Sequence, residues 1–273
     1  AASISALIDG FKNKDQNIKL AGVVLNKVNS ERHKYLLKEV ISSIGVNVLG
    51  FIPNDSKLNI GKSHLGIAPH HEIKDLNKRI YEWNHIAEKN LNIEAFKILL
   101  MPPSLSEKPI EKIKEILSLK DLKKKYLIAL AEDSAFHFRY PETKDLLETI
   151  GMPIVTWSPL ADEPIPANVK GIILPGGFPE KHAKQLSNAR KSIISLRSHF
   201  GITPIYAECG GMIYLGENLI NTKGERYEMS NLLPFEAKEG SLKVGYRKLV
   251  GIKDSLIIKK GEQVNGHEFH RWE

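Results

Sequence analysis

The feature that most constrains this chain is a strand signal, a helix signal and a second strand signal within about 30 residues. Ala21 to Asn26 is short, apolar and β-branched, as a buried strand requires. Ser30 then stands at a helix start, and Tyr35, Leu36, Leu37, Val40 and Ile41 recur at helical spacing up to the breaker Gly45. Val46 to Ile52 forms the next strand and Pro53 ends it. Strand, helix and strand at this distance predict a βαβ unit, normally part of a parallel sheet covered by helices. A further helix is predicted from about Glu72 to Asn90.

Between Met101 and Lys125 the pattern breaks into a Pro-Pro step, a Ser-rich stretch and a Lys-rich run, which reads as a linker with one short helix. A second α/β series follows. Its expected elements are strand Tyr126–Ala131, helix Glu142–Ile150, strands Ile154–Trp157 and Gly171–Leu174, helix Asn188–Phe200 and strand Pro204–Ala207. The expected organisation is therefore 1–100, a linker 101–125, and 126–273.

Composition excludes several classes. At 42% hydrophobic and 26% charged residues the chain is neither disordered nor collagen-like. No apolar run approaches the roughly 18 residues of a membrane span, and no signal segment opens the chain. The single cysteine, Cys209, cannot form an internal disulfide, so a reducing, cytoplasmic setting is expected. The net charge of +7 arises in residues 1–125, with 21 Lys and Arg against 14 Asp and Glu. Such an excess suits anionic ligands or a solvated surface. Without a basic helix or an aromatic-interleaved motif it does not indicate nucleic acid. The opening Ala1-Ala2, without an initiator Met, reads as a piece of something longer.

Three segments can carry chemistry. Cys209 lies in Tyr206-Ala207-Glu208-Cys209-Gly210-Gly211, after an apolar strand and before a helix expected from Met212 to Gly216. A nucleophile on such a turn stands above the sheet, and the next helix's amides stabilise a thiolate and an oxyanion. A buried cysteine acting as a small hydrophobe is the competing reading. In Gly266-His267-Glu268-Phe269-His270, a strand would place His267 and Phe269 on one face and Glu268 and His270 on the other. One histidine could then serve Cys209 as base, although surface histidines are common. Leu174-Pro175-Gly176-Gly177-Phe178-Pro179-Glu180 runs from a strand into paired glycines, as either an oxyanion hole or an ordinary turn would.

Two other patterns lead nowhere. Gly61-Lys62-Ser63 ends like a phosphate loop, but Ser56 occupies the position of its first glycine. The histidines at 64, 70 and 71 have no cysteine or carboxylate at metal-ligand spacing in the sequence, so they read as solvated loop histidines.

Taken together, these stretches resemble the cobyrinic acid a,c-diamide synthase family. The residues that carry the resemblance are GVVLNKVNSERH at 22–33, VLGFIPND at 48–55, SHLGIAP at 63–69, IALAEDSAFHFRYPE at 128–142, SPLAD at 158–162, LPGGFPE, YAECGGMIYLG and GHEFH. The resemblance implies an α/β chain: part of a P-loop, dethiobiotin-synthetase-like parallel-sheet domain, then a class I glutamine amidotransferase-like domain. By the same resemblance Cys209 is the glutaminase nucleophile, His270 its base, and the backbone amides of Gly177 and Gly210 its oxyanion hole.

The implied reaction is ATP-dependent amidation of the a and c carboxylates of cobyrinic acid or a close tetrapyrrole, in cobalamin biosynthesis. Glutamine supplies the ammonia and Mg²⁺ assists ATP. The implied partners are glutamine and the tetrapyrrole, with a homo-oligomer possible. Cobyric acid synthase-like amidation of other side chains is the neighbouring alternative, and a non-catalytic glutaminase-like binding module the more distant one. Two departures from the pattern stand out. Trp272 occupies the place where class I glutaminases commonly carry Glu, two residues after the histidine. The P-loop and Mg²⁺-binding acids of the family lie upstream of Ala1, so the residues that bind the nucleotide are not identified and product formation by these 273 residues alone is not expected.

Overall fold

The computed structural model describes residues 2–15, 17–60, 70–101, 111–112, 115 and 126–273. The predicted linker and the 63–69 stretch fall largely or wholly outside them. The chain divides into two units, Ala1–Ser106 and Glu107–Glu273, and both are α/β with parallel pairing.

In the first unit, helix α1 (Ala2–Lys14) precedes strand β1 (Val23–Val28), helix α2 (Glu31–Ser42) and strand β2 (Val48–Pro53). The Ser30 side chain caps α2 by accepting from the His33 amide at 3.2 Å. β1 and β2 pair in parallel, with Val23 opposite Val48, as the βαβ spacing requires. Ile8, Leu25, Val28, Leu37, Ile41 and Val46 close a core between helices and strands. Helix α3 (Leu76–Asn90) starts later than its apolar pattern suggests, because a 3-10 turn at His70–Glu72 and a left-handed Asp75 precede it. Helix α4 (Ile93–Leu99) follows, capped by Asn92.

The second unit is built on the parallel sheet β4-β3-β5-β6, formed by β3 (Ile128–Ala131), β4 (Ile154–Trp157), β5 (Gly171–Leu174) and β6 (Ile205–Ala207). Helix α5 (Pro141–Thr149) joins β3 to β4. The single helix expected at 188–200 is two, α6 (Ala183–Asn188) and α7 (Arg190–His199), separated at Ala189. α7 buries Ile193 and Leu196 in the core, each burial contributing about 1.5–3 kcal/mol.

After β6 comes helix α8 (Gly210–Leu215), and then a second sheet of order β10-β9-β7-β8. Its members are β7 (Asn218–Ile220), β8 (Arg226–Glu228), β9 (Glu236–Val250) and β10 (Gln263–Trp272). β9 and β10 pair antiparallel as a long ribbon whose foot is anchored by Ala237 and Trp272 in the core. The sequence pattern allows a strand at 266–270 but does not point to this ribbon. The reason is that most of β9 lies at or near solvent on both faces and lacks a clear two-residue apolar alternation. Among the described residues no helix is long and apolar enough to cross a membrane.

Candidate active site

Cys209 sits where β6 turns into α8. Its backbone, at φ 44° and ψ −110°, is in a region that non-glycine residues rarely occupy, and such strain collects at functional turns. Helix α8 begins at Gly210, two residues earlier than expected, and Cys209 is its N-terminal cap. With only six residues, α8 acts on the sulfur through its nearest amide rather than through a long dipole.

The LPGGFPE loop after β5 comes to the same place. A Cβ added to Gly177 would lie 1.9 Å from the Ala135 carbonyl oxygen, so only glycine lets this backbone pass. A Cβ on Gly210 would lie 3.1 Å from the Gly177 nitrogen, which places the two glycines side by side. Both amides act on the Cys209 sulfur in the direction that favours a thiolate. The structure thus brings together three of the residues singled out in the sequence: Cys209, Gly177 and Gly210.

The thiol is nevertheless held above its ordinary range. Desolvation by the surrounding protein is the largest cause, and the carboxylates of Glu180 and Glu208 add to it against the two amides. Cys209 remains open to solvent at its outer surface. Glu180 is itself pushed up to about 7, chiefly by burial. Glu208 accepts a hydrogen bond from the Tyr206 hydroxyl, and burial together with that bond raises Tyr206 to about 12. Beside Glu208 a small cleft of about 70 Å³ is lined by Phe138, Arg139, Tyr206 and Pro175. Arg139 pairs there with Glu132.

Asp133 fixes the loop that carries Phe138. It accepts from the amides of Ala135 and Phe136 at 2.8 and 3.2 Å, and from the Ser158 hydroxyl and Leu160 amide at 3.0 and 2.9 Å. One carboxylate therefore ties the AEDSAF and SPLAD stretches together, and the Phe138 amide in turn donates to the Gly176 carbonyl.

His270 lies on β10, two residues from Trp272. Glu239, opposite Trp272 on β9, adds a minor electrostatic contribution to the raised pKa of Glu180. No hydrogen bond joins His270 to Cys209. Instead His270 Nδ1 lies 2.7 Å from the Trp272 carbonyl oxygen and Nε2 lies 2.9 Å from Glu268 Oε1. Glu268 is held below the usual carboxylate range, first by His270 and then by Arg247. As strand alternation requires, Glu268 and His270 share one face, while His267 and Phe269 stack on the other. Sequence reasoning passed over Glu180 and Asp133, and gave Glu268 a face but no task. Glu268 was the legible one, since it stands two positions from the candidate base on a strand.

Residues 127–272 match the CobB/CobQ-like glutamine amidotransferase domain, and residues 1–66 match the CobQ/CobB/MinD/ParA nucleotide binding domain. The chain is 37% identical over 276 residues to the cobyrinate a,c-diamide synthase of Caldanaerobacter subterraneus subsp. tengcongensis, covering 99% of this chain and 59% of that protein. Identity to the same-named protein of Synechococcus sp. is 36%, with 99% and 59% covered. To the hydrogenobyrinate a,c-diamide synthase of Mesorhizobium japonicum it is 34%, with 99% and 60% covered. The chain spans about three fifths of the length of these curated relatives.

Proposed function

This chain belongs to the CobB/CobQ-like glutamine amidotransferase family, and on that premise we propose that its second unit releases ammonia from glutamine at Cys209. The supporting observation is the convergence of the Gly177 and Gly210 amides on a cysteine held in a strained strand-to-helix turn. In this reading the Cys209 thiol gives its proton to His270, and the sulfur attacks the side-chain amide carbon of glutamine. The two amides hold the oxyanion. The C–N bond breaks, ammonia departs with the proton from His270, and a thioester remains. Water cleaves the thioester to glutamate and the free thiol.

For the full-length protein we propose ATP-dependent amidation of the a and c carboxylates of cobyrinic acid or a close tetrapyrrole, as the names of the relatives suggest. The match of residues 1–66 supports nucleotide binding. Mg²⁺ would accompany the bound ATP, held by the nucleotide's phosphates and one or two carboxylates.

The test compares glutamine hydrolysis and thioester trapping in the full-length protein with those of Cys209→Ala and His270→Ala. Cys209→Ala should abolish the thioester, and His270→Ala should slow its formation by about 10²-fold or more. A wild-type protein that forms no thioester even with ATP and a corrinoid present would overturn the reading.

A further inference from the structure

The place two residues after His270 holds Trp272, whose indole cannot accept a proton from an imidazole. The backbone of Trp272 nevertheless faces the ring with its carbonyl oxygen, at 2.7 Å from Nδ1. The second ring nitrogen meets a carboxylate that stands two residues before the histidine rather than after it, Glu268 Oε1 at 2.9 Å. On a strand both positions lie on the same face as His270, so a carboxylate can reach the ring from either side. Glu268 is fixed in turn: its other oxygen lies 2.5 Å from Arg247 Nη2, across the ribbon on β9. Lys243, directly opposite His270, is paired instead with Glu273 at 3.6 Å.

Both groups facing the ring are acceptors, so the ring satisfies them together only when both nitrogens carry protons. Of the two, an ionised carboxylate binds an N–H more strongly than a carbonyl does. When the ring loses a proton it therefore keeps Nε2–H on Glu268, and Nδ1, opposite the Trp272 carbonyl, becomes the basic nitrogen. We infer that Glu268 is the positioning residue of the glutaminase: it fixes Nε2–H of His270, so that Nδ1 is the nitrogen that exchanges a proton with Cys209, and it stabilises the imidazolium that the exchange creates. The Arg247–Glu268–His270 chain supplies the orienting carboxylate that the position of Trp272 lacks. This inference rests on the glutaminase reading of Cys209.

The experiment uses the full-length protein carrying Glu268→Gln, Glu268→Asp or Glu268→Ala. It reads kcat and KM for glutamine hydrolysis together with the imidazole ¹⁵N shifts of His270, with thermal melting as a check on folding. Glu268→Gln is expected to lower kcat by about 10²-fold or more while KM stays within about twofold, and to shift the His270 ring signals away from the Nε2–H tautomer. Glu268→Asp should restore part of the rate. A folded Glu268→Gln protein with wild-type kcat and unchanged ring signals overturns this inference alone, and so does one that hydrolyses glutamine faster, because the contact then restrains the histidine. A wild-type protein that forms no thioester overturns the glutaminase reading and this inference with it.

Discussion

Glu180 stands close enough to Cys209 for its carboxylate to add to the burial that raises the thiol pKa, while its own carboxyl is pushed up to about 7. The two groups oppose each other's ionisation. Removing the carboxylate should therefore make the thiol more acidic. In Glu180→Gln, alkylation of Cys209 by iodoacetamide at pH 8 is expected to run about two to five times faster than in the wild type. An unchanged or slower rate would remove Glu180 from the groups that raise the thiol.

The same carboxyl makes folding depend on pH. Its folded pKa of about 7 lies above the ordinary 4.5, so the folded state binds this proton more tightly than the unfolded chain does. The stabilisation is fully present below pH 4.5 and is lost as pH rises through about 7, a loss on the order of 3 kcal/mol. Urea midpoints between pH 5 and 8 should fall in the wild type more steeply than in Glu180→Gln. Parallel profiles would place the pH dependence elsewhere.

Gly177→Ala is expected to damage both stability and chemistry. The added methyl would collide with the Ala135 carbonyl at 1.9 Å, and backbone atoms cannot give way as a flexible side chain can. A loss of roughly 1–3 kcal/mol is expected. In the fraction that folds, displacement of the Gly177 amide should lower kcat for glutamine hydrolysis by about 10²-fold. Wild-type kcat in this variant would remove Gly177 from the proposed oxyanion hole.

Asp133→Ala leaves two backbone amides and a hydroxyl near the sheet end without their charged acceptor, together with the Leu160 amide. Hydrogen bonds to a carboxylate contribute about 1.5–3 kcal/mol each before relaxation. The expected outcome is a loss of at least about 2 kcal/mol in chemical denaturation. The isosteric Asp133→Asn, which keeps one acceptor oxygen, should lose less. Equal losses in the two variants would mean that packing rather than charge makes this site matter.

Much of the framework was legible in the sequence because burial writes a short apolar code. Ile154–Trp157 and Gly171–Leu174 have the predicted bounds, since strands of a parallel sheet are largely apolar. Ser30 announced α2 by its capping chemistry. The ends of elements were harder to place. Nothing in Asn188-Ala189-Arg190 signals the break between α6 and α7, and the start of α8 is set by the strained turn at Cys209 rather than by a capping side chain. β9 escaped because a ribbon exposed over most of its length imposes little pattern on its residues.

The sequence by itself determined the α/β alternation, the sharp turn that presents Cys209, and the strand face shared by Glu268 and His270, because each follows from neighbours a few residues apart. Only the tertiary structure decided which groups act on them. It brings Gly177 to Gly210 across 33 residues of chain, places the Glu180 carboxylate within electrostatic reach of Cys209, and turns the backbone carbonyl of Trp272 and the Arg247-braced carboxylate of Glu268 onto one imidazole. The physical reason is that electrostatic and hydrogen-bonding effects depend on distance in space, which sequence separation does not encode.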